Sequence, residues 1–120
     1  MKLKVMLLVL FLCAAGSAII APSAWGEATP QRVEITAQQF LFQPGEVTVK
    51  AGQPVVLVLK SLDVGHGLRI LDLRVDLKVK AGETAEVMFT PNKPGDFIGH
   101  CSVFCGASHG SMTFLLHVVA

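Results

Sequence analysis

Tyrosine is absent from this 120-residue sequence, and tryptophan occurs once, as Trp25 near the N-terminus. The aromatic stock of everything beyond Trp25 is therefore phenylalanine. No run of like charge is present either. Setting aside Lys2 and Lys4 in an N-terminal leader leaves eight of the ten basic residues against nine acidic ones. That near-neutral balance, with no basic face, excludes nucleic acid as a partner. Cysteine is scarce: of three, Cys13 falls in the leader, and the remaining pair is too few for a disulfide scaffold. There is no long amphipathic helical pattern and no internal repeat. The length suits one domain.

Residues 1–26 read as an export segment. A short basic start (Lys2, Lys4) precedes an apolar run over residues 5–20, then small residues with Ala24-x-Gly26 as a candidate cleavage signal before Glu27. Extended to Trp25, the run is just long enough to span a bilayer with an aromatic at the interface. A signal peptide is slightly favoured over a single membrane anchor. Leu12, preceding Cys13, is too large for lipoprotein processing. Either way the lysines hold the N-terminus in the cytoplasm, so the rest is expected in the periplasm or on the outer face of the cytoplasmic membrane.

After a linker over residues 27–32, residues 33–120 read as an all-β domain of short strands with close turn punctuation. Residues 33–37 and 46–50 alternate cleanly, the latter putting Val47 and Val49 on one face. Pro44-Gly45 and Ala51-Gly52-Gln53-Pro54 supply turns. Residues 55–59 are continuously apolar, as suits a central strand buried on both faces. Residues 61–70 read as a loop entering a short strand, 75–80 alternate strictly, and 84–90 form another strand. The stretch 112–119 is the last.

What the chain has in concentration is soft ligands. Cys101, Cys105, His109 and Met112 follow one another at spacings of four, four and three. Thiolate and thioether favour copper(I), and Cys, His and Met together are what electron-transfer copper sites use. The same spacings approximate whole helical turns, yet Gly99, Gly106, Gly110, Ser102, Ser108 and Ser111 argue for a loop. A disulfide would account for the cysteines and leave the His and Met unexplained. Zinc would accept the cysteines and His109 but not Met112. A mononuclear blue-copper site leaves one Cys over. Two thiolates bridging two coppers would use every soft residue. A ligand from elsewhere is needed, and His66, between Gly65 and Gly67 in a loop, is the candidate. His100 and His117 are weaker; His117 alternates with the apolar residues of the last strand and is expected to face solvent.

Asp63-Val64-Gly65-His66-Gly67, the Cys101-x3-Cys105-Gly106-x2-His109-x2-Met112 loop and the strands between them resemble the CuA domain of cytochrome c oxidase subunit II, over about residues 33–119. Phe40-Leu41-Phe42-Gln43-Pro44 is similar to the short, single-anchor bacterial forms. The resemblance implies a cupredoxin-like Greek-key β-sandwich holding two copper ions. In it Cys101 and Cys105 bridge both metals, His66 and Met112 complete one, and His109 and the backbone carbonyl of Val103 complete the other. It also implies a c-type cytochrome or similar electron donor, a haem-copper oxidase catalytic subunit as acceptor, and no bond chemistry by this chain alone. Many family members carry Glu where Val103 stands, and a Trp/Tyr-rich entry stretch where this chain has only Phe40 and Phe42. With Phe104, these are candidates for an apolar docking patch or for the core. A periplasmic copper-delivery protein and a β-sandwich binding module with a Cys101–Cys105 disulfide are the competing readings.

Overall fold

The computed structural model describes residues 29–120 together with Gly16. The leader and its cleavage or anchoring lie outside these residues. Among the described residues no helix is long and apolar enough to cross a membrane.

Among the described residues, nine strands form two packed sheets: β1 (Gln31–Gln38), β2 (Leu41–Gln43), β3 (Glu46–Lys50), β4 (Val55–Ser61), β5 (His66–Ile70), β6 (Val75–Val79), β7 (Thr84–Phe89), β8 (Gly95–His100) and β9 (Thr113–Val119). One sheet has the order β2-β1-β4-β7 and the other β3-β9-β8-β5-β6. The chain changes sheet at each of the connections β2–β3, β3–β4, β4–β5, β6–β7 and β7–β8. These crossings wind both sheets around one core, giving the all-β sandwich the sequence predicts. Two 3-10 turns, Leu71–Leu73 and His109–Ser111, are the only helical elements among the described residues.

Alternation decides which side chains go inside. In β1, Val33, Ile35 and Ala37 are buried, and in β6, Val75, Leu77 and Val79, with polar residues between them. β4 lies between β1 (parallel) and β7 (antiparallel), and Val55, Leu57, Val58 and Leu59 are all buried. Its continuous apolar run thus reflects a central strand. Phe42 meets Phe114 edge to face, with ring centroids 6.3 Å apart, joining the two sheets at the core.

Several strand limits differ from the sequence pattern. β1 starts at Gln31, because the parallel register pairs Gln31 and Arg32 with Val55 and Val56 ahead of the alternating run. β9 starts at Thr113, since Met112 closes the preceding 3-10 turn through its N–H to the His109 carbonyl. His66 is not in a loop: it opens β5, paired with Val79, and is fully buried.

His117 faces outward on β9, as expected, but has partners there. Its Nδ1 lies 2.6 Å from Asp96 Oδ1 on β8, and its Nε2 lies 3.4 Å from Glu46 Oε2 on β3. One imidazole therefore links three strands. Asp96 first, then Glu46, raise its pKa above the ordinary histidine value. A raised folded pKa stabilises fully below the unfolded value, near 6.5, and that contribution is lost as pH rises through the folded one. His117→Gln is therefore expected to lower the denaturation midpoint near pH 5.5 and to leave it almost unchanged near pH 8.5. Equal losses at both pH values would contradict a charged link.

Candidate metal centre

The donors converge at one end of the sandwich, where β5 begins, β8 ends and β9 begins. Cys101 follows β8, and its N–H donates to the Met112 carbonyl at 3.1 Å, closing the base of the intervening loop. Inside that loop the His109 N–H donates to Gly106 O, and the Met112 N–H to His109 O. These turns bring residues four and three apart back to one point. A loop of short turns, not a helix, therefore brings Cys101, Cys105, His109 and Met112 together.

The two sulfurs sit at the centre, 3.4 Å apart and unbonded. Beside Cys101 Sγ stand His66 Nδ1 at 3.8 Å and the Val103 carbonyl oxygen at 3.1 Å. Beside Cys105 Sγ stand His109 Nδ1 at 3.5 Å and Met112 Sδ at 3.8 Å. The donor atoms of His66, Cys101 and Cys105 lie within 4.8 Å of one another, and all three residues are buried. The structure thus gathers all six residues expected from the sequence. His100 is exposed and, like His117, lies outside the cluster.

The donor chemistry suits a soft cation. Burial first, and then the Cys101 sulfur, push the Cys105 thiol up to about 11. A thiolate is therefore unfavourable there unless a positive ion lies beside it, which is what metal coordination provides. Two sulfurs, two imidazole nitrogens, a thioether and a carbonyl make a set for copper rather than for a hard cation. The set has two imidazoles and two weak donors around one pair of sulfurs that two metals would have to share, a composition that a dinuclear group would fit.

Partners outside the donor set hold it in place. Asp63 Oδ1 lies 2.6 Å from His66 Nε2, which leaves Nδ1 turned to the sulfurs. Asp63 is fixed in turn by the N–H groups of Gln39 and Val64, each at 2.7 Å. Burial alone would raise its pKa; the Gln39 N–H, His66 and the Val64 N–H outweigh that and lower it. Asp63 thus stays a carboxylate and an acceptor for the ring. Asp63 belongs to the quoted motif, but its role is not readable from spacing. Gln39 carries no sequence signal at all.

Two glycines are required by close approach. A Cβ on Gly106, at φ +137°, would meet Phe40 ring atoms at 2.7 and 2.8 Å. A Cβ on Gly67 would lie 2.1 Å from Ser102 Oγ, displacing the hydroxyl that donates to Asp76 at 3.0 Å. The three phenylalanines separate here. Phe42 is core, fully buried, and so is no part of a docking patch. Phe40 packs partly buried over Gly106. Phe104 is 80% exposed, its ring centroid 5.7 Å from that of His109.

Proteins similar to this chain carry several different names. The cytochrome c oxidase subunit 2 of Thermus thermophilus is 31% identical over 80 residues, covering 67% of this chain and 59% of that subunit. The nitrous-oxide reductase of Cupriavidus necator is 39% identical over 84 residues, covering 67% of this chain and 13% of the reductase. The chain thus spans less than two thirds of either relative. Among solved structures, the periplasmic domain of subunit II of cytochrome oxidase from Bradyrhizobium japonicum superposes with a TM-score of 0.69 at 20% identity. That superposition covers 78% of this chain and 88% of the other. The model of the cupredoxin-like domain matches residues 3–114, which takes in β1 to β8, the first two residues of β9 and the whole Cys loop to Met112. With the fold, the loop and the match in agreement, this chain belongs to the cupredoxin-like domain family.

Proposed function

We propose that this chain is a dinuclear-copper electron carrier of the cytochrome c oxidase subunit II type, acting outside the cytoplasmic membrane. In this reading it takes one electron at a time from a c-type cytochrome or similar donor and passes it to a haem-copper oxidase. The observation that carries the proposal is the pair of buried thiols 3.4 Å apart, each with its own imidazole and its own weak donor. A storage or delivery protein needs a site that opens. Here His66, Cys101, Cys105 and Met112 are buried and tied to β5, β8 and β9. The identity to relatives named as oxidase subunit 2 favours an oxidase as acceptor. The match to a nitrous-oxide reductase takes in only 13% of that protein's length, so its named activity is not carried over to this chain.

Bound copper would supply reversible one-electron chemistry shared over two metals. The chain's own part is to keep the donors still while the charge changes. Asp63 stops the His66 ring from turning, and the main-chain bonds from Cys101 to Met112 and from Ser102 to Gly67 hold the Cys loop against β5. His109 is half-buried at the rim, where the exposed Phe104 offers a donor an apolar contact.

The test is copper loading of the purified chain, with metal stoichiometry and electron paramagnetic resonance. Two coppers sharing one unpaired electron are expected. A single copper with a blue-copper spectrum would exclude the dinuclear reading. Rapid loss of copper to a periplasmic-strength chelator would favour delivery. Met112→Leu is expected to shift the reduction potential while both coppers stay bound, because a long thioether contact tunes the potential more than it holds the metal. Loss of all copper in that variant would assign Met112 a stronger role.

A further inference from the structure

One residue outside the donor set touches both halves of the site. Gln39, in the turn between β1 and β2, donates its main-chain N–H to Asp63 Oδ2 at 2.7 Å. Asp63 is the carboxylate that holds His66. The side chain of Gln39 reaches the other way, and its Nε2 donates to the Cys105 carbonyl at 2.7 Å. The His66 side of the site and the Cys loop come from chain segments 35 residues apart. Apart from strand pairing, their main-chain link is a long bond from the Ser102 N–H to the Gly67 carbonyl, 3.4 Å. Phe40, the next residue, lies against Gly106, the residue after Cys105.

We infer that Gln39 is a positioning residue that sets the Cys105 side of the site against the His66 side. Its amide group is planar, and its donor meets a carbonyl at the middle of the loop that has no other partner among the described residues. The loop therefore cannot swing away from β5 without breaking a bond at Cys105 itself. The turn acts as a third wall for the donor set, alongside the β5 entrance and the β8–β9 connection. Gly106 is what lets this wall come so close, since a side chain there would meet both Phe40 and Gln39 Nε2, the latter at 3.0 Å.

The inference rests on the copper-carrier reading, but part of its test needs no metal. Gln39→Met keeps the length of the side chain and the main-chain bond to Asp63 while removing the donor. Gln39→Lys restores a donor able to reach the carbonyl. One measurement is the alkylation rate of Cys101 and Cys105 in the reduced, metal-free full chain under native conditions. The other is the rate of copper release to a chelator from the loaded full chain. Gln39→Met is expected to raise both rates about three- to tenfold, the span of one hydrogen bond, with the thermal midpoint of the metal-free chain little changed. Gln39→Lys is expected to return both rates to within about twofold of wild type, as one restored hydrogen bond requires. Unchanged rates in Gln39→Met would overturn the inference. So would rates that rise only in step with a fallen midpoint, since that describes general destabilisation. If the wild-type chain takes up no copper, the carrier reading fails, and the alkylation rates alone decide the role of Gln39.

Discussion

Cys101→Ser is expected to lower copper uptake from the two ions per chain proposed above to one or none, and to weaken what remains by more than roughly a hundredfold. That exceeds the 10- to 100-fold range typical of partners outside the ligand sphere. The reason is position. Cys101 Sγ is the atom that meets Cys105 Sγ, His66 Nδ1 and the Val103 carbonyl. Serine is nearly the same size but offers a hard oxygen that stays protonated, so it can neither bridge nor attract a soft metal. The fold should survive, because the main-chain bond from residue 101 to Met112 does not involve the sulfur. Chelator competition followed by electron paramagnetic resonance measures the effect. A variant that still showed one electron shared over two coppers would rule out the bridging role.

Phe42→Ala should act on the other property, stability. Phe42 is fully buried and packs edge to face on Phe114 across the two sheets. Removing a buried ring of this size costs about 3–5 kcal/mol, against a total of about 5–15 kcal/mol for a domain. At about 4–8 °C per kcal/mol for a domain of about 60–100 residues, the thermal midpoint should fall by about 12–40 °C. A midpoint within a few degrees of wild type would contradict the place of Phe42 at the centre of the core.

The contrast between these two residues shows what the amino-acid order carries. The Cys loop is legible because its four side-chain donors lie within one short stretch, and spacing alone puts soft ligands together. The strands are legible where alternation runs for five residues or more, as in β1, β3 and β6. Phe42 is not, because β2 is only three residues long and shows no period. His66 reads as a loop residue because its glycine neighbours mask a strand start that only the pairing with Val79 reveals. Asp63 and Gln39 meet across 24 residues, and Gln39 and Cys105 across 66. Such contacts depend on how β1 lies beside β4 and leave no local trace.

The unequal distances along the chain also bear on what the metal does for folding. Cys105 reaches His109 and Met112 across only four and seven residues, whereas Cys101 reaches His66 across 35. Closing 35 residues of flexible chain instead of four costs about 2 kcal/mol more. An unfolded chain therefore keeps a serviceable partial chelate in its Cys-His-Met segment and loses chiefly the distant imidazole. Copper then favours the native state only by the difference between its affinities for the two forms. The gain in melting temperature on loading should accordingly understate how tightly the folded protein holds its metal.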